Sequence, residues 1–111
     1  MKIEKQDYND VTVISLQGEF DVDTTELLQR MVTEIISNGK NGVVIDFGNV
    51  EFIDSAGLEQ LLWTRDYCDE NMSQLRIAGL NENCREILYI TRLDGEFDCY
   101  SELSDAVKSF A

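Results

Sequence analysis

Histidine and proline are both missing from this 111-residue chain. The first absence removes the commonest general base, the commonest metal ligand and every Ser-His or Cys-His nucleophile pair. Glycine is sparse, at seven residues, so the chain must be punctuated by helix caps and short turns. The three cysteines, Cys68, Cys84 and Cys99, are an odd number at wide spacing. They form no C-x-x-C pair to grip zinc or exchange disulfides, and are expected to be buried free thiols. Basic residues are few: nine Lys and Arg against 22 Asp and Glu leave a net charge of −13. A surface this negative repels phosphate backbones and anionic lipid, which excludes nucleic acid and acidic membranes as main partners and favours a basic protein surface. No apolar run nears the ~20 residues that span a bilayer, and MKIEKQDYND lacks a signal peptide's apolar stretch, so no membrane insertion and a cytoplasmic location are expected.

What remains is an ordinary globular composition, 43% hydrophobic and 28% charged. Its length suits one domain over residues 1–111, burying roughly two-thirds of the unfolded surface. Residues 2–7 and the β-branched run 11–17 read as a hairpin turning at Asn9-Asp10. Asp23 three residues before Glu26 suggests a capping box, and Leu27, Leu28, Met31, Val32, Ile35 and Ile36 then give a one-faced helix closing at Asn38-Gly39. Val43 to Phe47 reads as a central strand ending at Gly48-Asn49. After Phe52-Ile53, Leu58, Leu61, Leu62 and Met72 line a second helix, with Ser55 or Asp54 as its N-cap. Leu75 to Ala78 makes another strand, and Asn81 caps a helix carrying Cys84, Ile87, Leu88 and Thr91. Residues 97–100 return as a strand, and Ser101 caps a last helix. The order β-β-α-β-α-β-α-β-α predicts an α/β domain with a mixed, mainly parallel sheet.

The strand-to-helix junction Val50 to Leu58 is the most informative stretch. In open α/β sheets such junctions bring unpaired N–H groups and the positive end of a helix dipole to the surface. Ser55 would stand there, either as a simple cap or as a modifiable hydroxyl, and the two roles are compatible.

The run FIDSAGLEQLL, preceded by VVIDFGNV, resembles the signature of the STAS domain, and in particular of the bacterial anti-sigma factor antagonists, roughly F-[IM]-D-S-[SA]-G-L. LQGEFDVDTTELL is similar to the segment before that family's first helix, and ILYITRLDGEFDCYSELSDAV to its closing pattern. The resemblance implies a phosphorylatable serine at Ser55, beside Asp54 and followed by Ala56, Gly57 and Leu58, with Asp21 as the acidic residue of the preceding loop. These six positions are the implied partner-binding site. It further implies an anti-sigma factor that is a serine kinase, a serine phosphatase that resets the switch, no cofactor and no enzymatic activity of its own. Two departures stand out. Ala56 replaces the commoner second serine, and Arg92 stands where the closing pattern has glycine.

The expected function is therefore that of an anti-sigma factor antagonist: it binds the anti-sigma factor, releases the sigma factor, and is switched off by phosphorylation of Ser55. A STAS scaffold or transporter-associated binding subunit is the first alternative, and a weak nucleotide-binding or nucleotide-hydrolysing protein the second. The remaining features carry bland readings. Trp63 and Tyr67 lie off the Leu stripe and either form an exposed patch or pack under a neighbour. Asp46 lacks the acidic pair of a receiver domain, and Gly39-Lys40-Asn41-Gly42 lacks phosphate-loop spacing. Asp94, Glu96, Asp98, Glu102 and Asp105 read as a solvated face.

Overall fold

The computed structural model describes residues 2–20 and 24–110. Nine elements follow in the expected order: β1 (Lys2–Tyr8), β2 (Val11–Phe20), α1 (Thr25–Ser37), β3 (Gly42–Ile53), α2 (Ser55–Glu70), β4 (Gln74–Ala78), α3 (Glu82–Ile90), β5 (Asp98–Tyr100) and α4 (Leu103–Lys108). The strands form a single sheet in the order β1-β2-β3-β4-β5. β1 pairs antiparallel with β2 and every other pair is parallel, so the opening hairpin supplies the one antiparallel strand. Asn9 makes its turn at φ 55, a conformation asparagine tolerates.

Alternation along the strands divides the core in two. On one face Ile14, Leu16, Val43, Ile45 and Ile77 meet Leu28, Val32 and Ile35 of α1, Leu58 and Leu61 of α2, and Cys84 and Leu88 of α3. On the other, Val11, Val13, Val44 and Ala78 meet Ala106 of α4. Three helices thus cover one face and a single short one covers the other.

Several sequence expectations give way here. β3 does not end at Gly48-Asn49 but runs twelve residues to Ile53. Its pairing with β2 shifts register twice, which brings Val50 and Ile53 inward. The Asp46 carboxylate accepts the Gly48 N–H at 2.9 Å, so an aspartate that sequence placed at a strand end instead steadies an irregularity within the strand. Met72 does not line α2: it follows the C-cap Asn71 at φ 60 and is 93% exposed, while Thr64 and Cys68 take the inward positions. The cap of α4 is Glu102 rather than Ser101. Cys68 and Cys84 are buried free thiols, but Cys99 is exposed because it lies on a short edge strand. Asp23, the expected capping-box residue, lies outside the described residues; the N-cap position of α1 is Thr24, with no side-chain cap bond.

Helix ends repeat one device. After α1, α2 and α3 a residue with positive φ, Gly39, Met72 or Arg92, reverses the chain. Leu93 N–H then bonds the Leu88 carbonyl at 2.8 Å and Ser73 N–H the Cys68 carbonyl at 2.8 Å, which satisfies carbonyls the helix leaves open.

Candidate functional site

The junction between β3 and α2 is built from three chain segments. β3 ends at Ile53, which pairs with Phe20 at the end of β2. The Asp54 N–H donates to the Phe20 carbonyl at 3.3 Å, turning the chain out of the sheet. Asp54 then adopts an extended backbone (φ −90, ψ −178), and its Oδ1 accepts the Gly57 N–H at 2.8 Å. Asp54 is therefore the N-cap. Ser55 is the first helical residue, exposed, and its hydroxyl makes no hydrogen bond among the described residues. Of the two roles the sequence left open for Ser55, capping is performed by its neighbour.

Gly57 and Leu58 support this turn from beneath. Gly57 is buried where α2 crosses the end of β2, and a β-carbon there would stand 2.5 Å from the Phe20 carbonyl oxygen and 2.9 Å from Ile53 Cγ2. Only glycine lets the helix start this close to the sheet. Leu58 belongs to the main core, and its N–H bonds the Asp54 carbonyl at 2.9 Å. Ala56 is half-buried beside Ser55. The accessible part of the motif is thus Ser55, with Asp54 and Ala56 at its margins. Asp21, which the sequence places near it, lies outside the described residues.

Asn81 caps α3 as the sequence predicts, but that it also braces this junction, and that Phe52 faces outward beside it in the chain, was not read from sequence. Asn81, the N-cap of α3, accepts the Cys84 N–H at 2.8 Å and donates through Nδ2 to the carbonyls of Val50 and Glu51 at 3.0 and 3.3 Å. It ties α3 to the last turn of β3, just before the site. Phe52 is 38% exposed, pointing away from buried Ile53. Period-two alternation was the available signal, because one of two adjacent strand residues must face outward.

The site's electrostatics are uniformly negative nearby: Glu51, Asp54 and Glu59 surround Ser55 in sequence, against the positive end of the α2 dipole. Trp63 and Tyr67 stack with centroids 5.0 Å apart and planes 10° from parallel, and both pack half-buried against the core. No thiol is activated. Burial pushes Cys68 from the usual 9.0 up to about 12, with the Asp69 charge adding to it, and burial likewise raises Cys84, while Cys99, exposed as a residue, is raised by partial desolvation of its sulfur and by the Asp98 charge. Among the described residues, no helix is long and apolar enough to cross a membrane.

Residues 2–106 match the model of the STAS domain family. The chain is 30% identical over 101 residues to the anti-sigma-F factor antagonist RsfB of Mycobacterium tuberculosis, covering 91% of this chain and 82% of that one. It superposes on the crystal structure of an anti-sigma factor antagonist from Mycobacterium paratuberculosis with a TM-score of 0.84 at 27% identity, over 97% and 92% of the two chains. The Bacillus cell fate determinant SpoIIAA in its phosphorylated form has the same fold, with a TM-score of 0.76 at 16% identity over 99% and 100%.

Proposed function

The chain belongs to the STAS domain family, and we propose that within it this protein is an anti-sigma factor antagonist whose hold on its partner is set by phosphorylation of Ser55. The observation that carries this reading is the division of labour at the head of α2. Asp54 caps the helix, which leaves the Ser55 hydroxyl exposed and, among the described residues, unbonded. Curated relatives and structural neighbours named as anti-sigma factor antagonists support the role, and a neighbour characterised in a phosphorylated form supports the switch.

The mechanism follows from charge and burial. The unphosphorylated face, with exposed Ser55 between half-buried Asp54 and Ala56 in the chain, is small and mixed enough to be covered by a partner. A basic partner surface suits the −13 charge. Phosphate adds about −1.5 to −2 charges and three acceptor oxygens. The helix dipole tolerates them, so the fold survives. A partner closing over Ser55 would have to desolvate that dianion beside Asp54, and binding falls with no change of shape. Asp21, the residue that follows β2 in sequence, joins the partner-binding set, which also includes Gly57 and Leu58 as the buried supports that hold the surface in place. The proposed partners are an anti-sigma factor with serine kinase activity, which surrenders its sigma factor on binding, and a serine phosphatase that restores the active form. The site of action is the cytoplasm.

The test is phosphorylation by the kinase-type anti-sigma factor with ATP, read by intact mass. Wild type should gain one phosphate and Ser55→Ala none. Equal modification of the alanine variant would remove Ser55 from the switch.

A further inference from the structure

The sheet ends at β5, a three-residue strand paired with β4 on one side only. Beside it, between β5 and α3, runs a groove of about 420 Å³ whose walls include Leu80, Arg85, Leu88, Tyr89, Asp94 and Tyr100. No residue of β3 or α2 lines it, so it is separate from the Ser55 face. Three observations say what it would hold. Tyr89 is 72% exposed and its chain neighbour Ile90 67%, a concentration of apolar surface at the end of α3 that the core does not use. Between Glu82 and Asp105 the chain carries seven acidic residues and two basic ones. Arg85 makes no ion pair among the described residues, although Asp94 lines the same groove.

We propose that this groove takes an extended segment of a partner protein, laid along the edge of β5, with an apolar side chain anchored in the groove and lysine or arginine on either side of it. The open edge of β5 offers backbone groups for strand addition. Leu80, Leu88 and the ring of Tyr89 supply the seat for the anchor. The acidic surroundings select basic flanks, with the Asp94 carboxylate in the groove wall itself, and repel an acidic segment. Arg85, the one basic side chain in the groove wall, takes a backbone carbonyl of the segment. The surface stands independently of the switch at Ser55 and would give the partner a second point of attachment that phosphorylation does not touch.

The experiment is a titration of isotope-labelled full-length protein, followed by amide chemical shifts. The probe is a capped peptide with a Leu-Phe-Leu centre and a Lys-Arg pair at each end, compared with a twin carrying glutamates in place of the basic residues. Saturable shifts are expected at Leu80, Arg85, Tyr89 and residues 99–101 with the basic peptide only. Tyr89→Ser, at an exposed position, and Asp94→Lys should each weaken the affinity by about tenfold. Ser55→Asp should bind the peptide as wild type does, which separates this surface from the switch. Failure to saturate, equal binding of the acidic twin, unchanged affinity in both groove variants, or shifts centred on Ser55 and lost in Ser55→Asp would each overturn the proposal.

Discussion

The carbonyl oxygen of Phe20 lies 2.5 Å from where a β-carbon on Gly57 would stand. The end of one strand and the start of the helix after the next are therefore in backbone contact, and the surface carrying Ser55 is set by that contact. Gly57→Ala would normally gain helix propensity. Here it should destabilise the protein by about 1–3 kcal/mol, because a backbone carbonyl and a packed Ile53 have to move. Thermal unfolding measures this, and a stabilised variant would mean the helix start has room.

The position of the cap sharpens the expectation for Ser55. Since Asp54 makes the capping bond, Ser55→Ala should change unfolding free energy by less than about 0.5 kcal/mol, whereas Asp54→Ala should cost about 1 kcal/mol. Chemical denaturation of the two variants separates these.

Binding should rank differently from stability. Ser55→Asp places a carboxylate at the dipole's positive end and should fold as wild type does. Against a purified anti-sigma partner it should lose about 2–5 kcal/mol, some 30- to 1,000-fold in affinity, while Ser55→Ala binds nearly as wild type does. Calorimetric titration decides: equal affinity of the two variants would sink the electrostatic switch.

Arg92 and Met72 occupy positions that reverse the chain at φ 62 and φ 60. Both are long side chains in a conformation that costs an L-residue roughly 1–2 kcal/mol. Arg92→Gly and Met72→Gly should each raise stability by about 0.5–1 kcal/mol, less than the full strain because glycine also loosens the unfolded chain. A fall in melting temperature in both would contradict the strained geometry.

Cys68 gives the protein an alkaline weakness. Its thiol is held at about 12 when folded against an ordinary 9.0. Below pH 9 both states keep the proton and the contribution is intact. Between pH 9 and 12 only the unfolded chain releases it, so stability falls as pH rises, by about 1.4 kcal/mol per unit across that window. Comparing unfolding free energies at pH 8 and 10.5 should show a smaller drop in Cys68→Ala than in wild type.

The periodicities that built α1 and β2 are local, and so they were legible, as was the junction at Asp54 and Ser55, where a polar pair follows an apolar run. Which of that pair caps the helix was not legible, since both residue types suit the role and only the Gly57 N–H position decides between them. β3 looked finished at Gly48 because its continuation depends on Asp46 bonding back to the Gly48 N–H and on close approach of the Gly79 turn, both tertiary matters. Met72 fell on helical spacing after the helix had already ended. The exposure of Cys99 reflects its place at the sheet's edge, which strand order alone reveals.

The second face of the sheet is guarded by six residues. α4 buries only Ala106 fully, and past its end the Arg76 guanidinium sits 4.4 Å from the Phe110 ring centre and bonds Ser109 Oγ at 2.8 Å. A cover so small makes an early-opening unit: its amide protons should exchange with solvent through local detachment, long before those of α2, whose Leu58 and Leu61 share the large cluster with two other helices. The molecule then breathes on the side away from the large core, and the helix bearing Ser55 keeps its shape through every such fluctuation.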